Sequence, residues 1–225
     1  PTVGKDAVDY LKAGLTKDFQ QLYWKASQYV PEGVLSPDEL WERLSADRPD
    51  ALGTYPWAKL NAITHGFRPT ELITVTAGSG LGKSSVLREV VMHIKNTTDN
   101  KIGCLFIEES VERTAEGFMG VDLNTPVHLP TSAVSRKDDA YKESFDRVFG
   151  DGQIMVMDAS FDTGATVDQV VARVRFMAKA LDCKVIVLDH ISILVSAGQH
   201  GDERRALDEI MTKLRTLTQD TGIVL

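Results

Sequence analysis

The stretch over residues 71–84, ELITVTAGSGLGKS, constrains this chain more than any other part of it. An apolar run leads into a glycine-rich loop, and the loop ends in Gly82-Lys83-Ser84 at the head of an apolar-periodic segment. A triphosphate needs successive backbone N–H groups curled around its oxygens, and the positive end of a following helix adds to the field. Gly78, Ser79, Gly80 and Gly82 supply the small residues for that cradle. Lys83 is placed to reach the β- and γ-phosphates, and the Ser84 hydroxyl to ligate a bridging Mg²⁺. The nucleotide-binding set read from this motif is Ala77, Gly78, Ser79, Gly80, Leu81, Gly82, Lys83, Ser84 and Ser85. Ala77 stands where the strict pattern has glycine, a small residue that still allows the turn. Context separates this loop from a chance glycine-rich turn: Leu72, Ile73 and Val75 read as a buried strand, and Val86, Leu87, Val90, Val91 and Ile94 share one helical face.

The 225 residues are 43% hydrophobic and 25% charged, a globular composition long enough for one sizeable core and an appendage. No apolar run approaches the length that spans a bilayer, and the polar N-terminus lacks the layout of a signal peptide, so a cytoplasmic location without membrane attachment is expected. Cys104 and Cys183 each lie at or beside an apolar strand and read as buried thiols. A net charge of −7 gives no general basic field, so any DNA contact must come from local residues.

Residues 1–30 read as two short helices, with Val8, Tyr10, Leu11 and then Phe19, Leu22, Tyr23 and Trp24 as apolar anchors, broken at Gly14 and Pro31. In SPDELWERL, Ser36 is set as an N-cap, Pro37 as the first helical residue and Glu39 as the returning capping-box partner, predicting a helix over 37–46. Residues 48–70, with several prolines and little periodicity, read as a linker. From residue 71 strands and helices alternate: strands at 71–76, 102–107, 153–157 and 184–189, helices at 84–96, 111–119, 166–181 and 202–220. That order predicts an α/β fold, a mostly parallel sheet with helices on both faces, and Val185-Ile186-Val187-Leu188 has the continuous apolar character of a strand covered on both sides. Gly222 closes the last helix and an apolar run follows, which reads as a strand cut off at its start and hence a fragment of a longer protein.

In open parallel sheets the ligand site gathers at the carboxyl ends of the strands. Asp189, after an apolar central strand, has the setting of a carboxylate delivered toward Mg²⁺ and its water shell. Its neighbour is His190, not glutamate, so the general base has to come from another strand. Glu108, at the end of the run 103–107, is placed to orient and deprotonate a water attacking the γ-phosphate. Strand alternation points Glu109 the other way. The catalytic set is therefore Lys83, Glu108 and Asp189, with Ser84 and Asp189 as the metal-side pair.

The blocks SGLGKSS, FIEESVERTAE, VIVLDHISILVSA and DERRALDEIMTKL, in this order and spacing, closely resemble bacteriophage primase-helicase ring helicases, with Twinkle and DnaB as more distant relatives in the same RecA-like group. The resemblance implies a RecA-like P-loop NTPase core over 66–225, a helical linker over 31–65 and the end of a Toprim-like primase domain over 1–30. It implies a replicative helicase that couples hydrolysis of ATP or another NTP or dNTP to movement on single-stranded DNA, working as a hexameric ring with a primase domain in the same chain. Position by position it matches Lys83, Ser84, Glu108 and Asp189 to the roles above. It also implies that the helix at 37–46, with Trp41, packs on the next protomer, though ordinary intrachain packing of that tryptophan fits equally. The loop at 194–205 maps to the family's channel-facing loop, where His200, Arg204 and Arg205 would meet DNA phosphates; a solvated loop opening a helix is the equal alternative.

The family's γ-phosphate sensor, main basic DNA loop and arginine finger fall downstream of residue 225, so these residues alone are expected to bind nucleotide weakly and hydrolyse it poorly. A RecA-type recombinase or repair ATPase shares the core. A small-molecule kinase needs a lid with clustered arginines, and 122–150 offers only Arg136 and Arg147. A non-catalytic nucleotide-binding assembly module is opposed by Glu108 and Asp189.

Overall fold

The computed structural model describes residues 6–25, 31, 33–158, 166–191 and 203–225. The chain divides into two compact units, Pro1–Arg48 and Pro49–Leu225.

In the first unit, α1 (Ala7–Lys12) and α2 (Thr16–Trp24) are joined through Gly14, whose φ of 73° lies in the left-handed region. Among the described residues of this unit Tyr10 is the one buried, packed on Phe19 with ring centroids 5.7 Å apart. The other expected anchors, Val8, Leu11, Leu22, Tyr23 and Trp24, are exposed. Helix α3 (Pro37–Ser45) starts as its sequence predicts: the Ser36 hydroxyl accepts from the Glu39 N–H, and the Glu39 carboxylate accepts from the Ser36 N–H. That bond holds the Glu39 carboxyl below its ordinary range.

The second unit begins with a departure. Residues 48–70, expected as a linker, contain α4 (Ala58–Thr64), anchored by Asn61, whose side chain bonds both the N–H and the carbonyl of Tyr55. Gly53 and Phe67 form an antiparallel bridge, and Phe67 is buried at 1% exposure. Prolines masked the periodicity, yet burying one phenylalanine ties the segment to the core.

The sheet has the order β2-β1-β3, all parallel: β1 (Ile102–Phe106), β2 (Ile154–Val156) and β3 (Val185–Asp189). Residues 71–76, expected as a strand, are not a regular one. Instead Ile73 N–H donates to Leu225 O at 2.8 Å and Leu225 N–H to Glu71 O at 3.0 Å, the pair of bonds of a parallel pairing. Residues 223–225 in turn lie beside β3 through the parallel bridge Val185–Val224. Residues 70–73 make these bonds to residues 223–225, and beyond them Val75 is 45% exposed.

Alternation along the strands sorts the core into two layers. Ile102, Cys104, Phe106, Val185 and Val187 face α5 (Lys83–Thr97), α6 (Val111–Asp122) and α7 (Asp139–Phe149). Leu105 and Ile186 face α8 (Val167–Lys179) and α9 (Glu203–Thr221). Helix α7 was not foreseen, although Tyr141, Phe145, Val148 and Phe149 recur at helical spacing, and its buried Ser144 is satisfied by Asp122 at 2.7 Å. Both cysteines are buried as expected, and burial raises both thiol pKa values. Among the described residues no helix is long and apolar enough to cross a membrane.

Candidate functional site

The loop after residue 76 enters α5 through two glycines in the left-handed region, Gly80 (φ 75°) and Gly82 (φ 83°). Residues with a Cβ rarely hold this geometry, which explains the glycines. Gly82 is the N-cap of α5 and no side chain caps the helix, so its first-turn N–H groups face outward without an internal acceptor from a cap. Lys83 curls back over the loop, its Nζ donating to the carbonyls of Ala77 at 3.1 Å and Gly78 at 3.2 Å. Among the described residues it has no carboxylate partner.

Ser84 and Asp189 lie 105 positions apart in the chain, and the Ser84 hydroxyl donates directly to the Asp189 carboxylate. The carboxylate is delivered by the last residue of β3 and is 8% exposed. A hydroxyl and a carboxylate oxygen in contact at a strand end are hard oxygen donors of the kind Mg²⁺ accepts, so this pair fits that ion.

The two glutamates after β1 have different fates. The strand ends at Phe106, and Ile107 and Glu108 form a turn, so strand alternation does not govern their directions. Glu109 is paired with Arg88 of α5, a residue only 8% exposed, and is 3.5 Å from the Thr114 hydroxyl. The guanidinium also lies over the Phe106 ring, 5.3 Å from its centroid. Glu108 is exposed and carries instead a contact to His190, Oε2 to Nε2 at 3.2 Å. The ends of β1 and β3 are laced together by Ile107 N–H donating to Asp189 O at 2.7 Å, which brings Glu108, His190, Asp189 and Ser84 into one cluster. Beside it a cavity of about 540 Å³ runs from Ala77, Ser79 and Lys83 past Asp189 and His190.

The sequence reading missed both partners. His190 entered it only as the absence of a glutamate, and Arg88 not at all, because an arginine amid an apolar helical face reads as a surface residue until its burial is seen. Of the DNA-contact residues, Arg204 and Arg205 sit exposed in the first turn of α9, and His200 lies outside the described residues. The two arginines a kinase lid would need are engaged elsewhere, Arg136 with Glu116 and Arg147 with Asp122.

The profile of the DnaB-like helicase C-terminal domain matches residues 54–225. The chain belongs to that family. It is 37% identical over 229 residues to the DNA helicase/primase of Enterobacteria phage T3, an alignment covering 98% of this chain and 40% of that protein. Thus the chain spans about two fifths of the length of this curated relative. A solved ATPase domain superposes with a TM-score of 0.60 at 14% identity, over 86% of this chain and 70% of that one. A KaiC-like protein of Pyrococcus horikoshii OT3 gives 0.51 at 16% identity, over 79% and 68%. At such identities these two speak to the fold, which is the RecA-like α/β architecture expected from the sequence.

Proposed function

We propose that this DnaB-family chain is the motor core of a replicative DNA helicase of the primase-helicase kind, hydrolysing an NTP or dNTP with Mg²⁺ to drive movement on single-stranded DNA. The observation that carries the reading is the meeting of Ser84, Asp189 and Glu108 at the carboxyl ends of β1 and β3, next to an uncapped glycine-loop helix start. Loop amides and Lys83 would hold the phosphates, and Ser84 and Asp189 the Mg²⁺, which supplies charge neutralisation on the phosphate oxygens when bound. Glu108, exposed and not tied to a cation of lysine or arginine type among the described residues, is the group free to take a proton from water. Family membership supports assembly with further copies of the chain and contact with DNA. A hexameric ring, a primase domain in the same protein and DNA phosphates held by Arg204 and Arg205 are the finer parts of this proposal.

The test is made on the full-length protein. Glu108→Gln is expected to keep nucleotide binding while hydrolysis and unwinding fall by about a hundredfold or more, and Lys83→Ala to lose hydrolysis through loss of phosphate binding. Normal turnover by Glu108→Gln would remove the base assignment. The recombinase reading is tested in the same preparation, since it requires filaments on DNA where the present one requires closed rings in electron micrographs.

A further inference from the structure

His190 has a claim to a role that neither the nucleotide loop nor the metal-side pair explains. Its Nε2 lies 3.2 Å from Glu108 Oε2, while its other ring nitrogen, Nδ1, is buried without a hydrogen-bond partner among the described residues. The contact is of the ion-pair kind, and because a carboxylate can only accept, a proton shared between the two is one that Nε2 carries and donates to Glu108. As a packing residue this histidine is a poor choice: it buries an unsatisfied polar atom that an aliphatic side chain of similar volume would not. The contact with Glu108 is what the histidine offers and an aliphatic residue does not.

The surroundings make that contact consequential. Glu109, the chain neighbour of Glu108, is held by Arg88, and Ile107 on the other side is held by Asp189 O at 2.7 Å. The backbone on both sides of Glu108 is thus fixed, and the remaining freedom is the rotation of its own exposed side chain. A long carboxylate in solvent samples several rotamers, and general-base catalysis needs the one that faces the water. We propose that His190 is a positioning residue that fixes the rotamer of Glu108 by donating from Nε2 to one carboxylate oxygen, leaving the other oxygen for the attacking water. Because His190 follows Asp189 directly, the strand that delivers the metal-side carboxylate also orients the base on the adjacent strand.

This inference rests on Glu108 being the base. The experiment measures steady-state NTP hydrolysis and, separately, the equilibrium binding of a fluorescent ATP analogue by the full-length protein. His190→Leu is expected to lower kcat by about tenfold or more, with KM and analogue affinity within about twofold of the parent. His190→Gln, whose amide N–H reaches the Nε2 position, is expected to recover most of that loss, and His190→Asn, one carbon shorter, is not. In the Glu108→Gln background His190→Leu should cost nothing further, because the two act as a unit. Parent-level kcat in His190→Leu, or equal kcat in the Gln and Asn variants, overturns the proposal even when Glu108→Gln is inactive. An active Glu108→Gln instead overturns the base assignment beneath it. Should His190→Leu fail to fold, the Gln and Asn variants decide the matter between themselves.

Discussion

At the residue scale the informative side chain is Arg88, a buried cation on the helix that follows the glycine-rich loop. Three groups account for its position: the Glu109 carboxylate, the Phe106 ring and the open space left by Gly117, where a Cβ would come within 2.2 Å of the arginine Nε. Its Nε has no partner among the described residues, so the pair is not fully satisfied, and the Glu109 side chain keeps 22% of its exposure. Breaking a buried ion pair by removing one partner costs about 3–5 kcal/mol; with Glu109 partly in water, Arg88→Met should cost about 2–3 kcal/mol. Urea denaturation followed by far-UV circular dichroism measures it, and a loss below about 0.5 kcal/mol would show that the pair contributes little. The sequence displayed Lys83, Ser84, Glu108 and Asp189 because each stands at a strand end or in a glycine loop, where spacing alone announces a ligand site. Arg88 and His190 are legible only in three dimensions, since each is defined by a partner from another element.

At the scale of elements, the order of strands and helices from residue 102 onward follows the sequence closely, because β1 and β3 are apolar on both faces and α5, α6, α8 and α9 bury periodic stripes. The first of the two unforeseen helices lacks that stripe. Helix α4 is seven residues long; α7 sets Phe149 edge-on to Phe118 of α6, ring centroids 6.3 Å apart, buries Val148 in the same cluster, and adds polar bonds, since Asp122, the last residue of α6, accepts from Ser144 and Arg147. Burial pushes the Asp122 carboxyl up, but the hydrogen bonds from Arg147 and Ser144 outweigh it and hold the carboxyl below its ordinary value of 3.8. A carboxyl depressed in the folded state adds stability that is present above its unfolded pKa, and this is lost as pH falls through the folded value. The α6–α7 contact should therefore weaken in acid below about pH 4. Asp122→Asn should be less stable than the parent at neutral pH and lose less on acidification; equal pH dependence of the two in thermal melts would show that Asp122 is not a linked group. Lys95 and Asp151 repeat the pattern from α5, with the Lys95 hydrogen bond the largest cause of the lowered Asp151 pKa.

At the scale of the whole molecule, the two compact units differ in what they bury. Both apolar clusters draw all their members from residue 52 onward, whereas the described part of Pro1–Arg48 buries Tyr10 alone. A segment that removes so little apolar surface from water cannot offset its own chain entropy, so its order must be local or supplied by a partner. The exposed apolar face of α3, with Leu40, Trp41 and Leu44 at 48%, 70% and 69% exposure, suits the second source if the chain assembles as proposed. Deleting residues 1–48 should then leave the urea midpoint and ATP-analogue affinity of the remainder unchanged within about 0.5 M and twofold, since every residue of the candidate site and both cores remain. Multi-angle light scattering on the full-length protein and the deletion variant checks the other half: assembly should weaken on deletion, and Trp41→Ala should reproduce part of that loss while leaving the midpoint in place. A midpoint shift of more than about 1 M would show that the first unit supports the core directly, and undiminished assembly would place the intersubunit contact elsewhere.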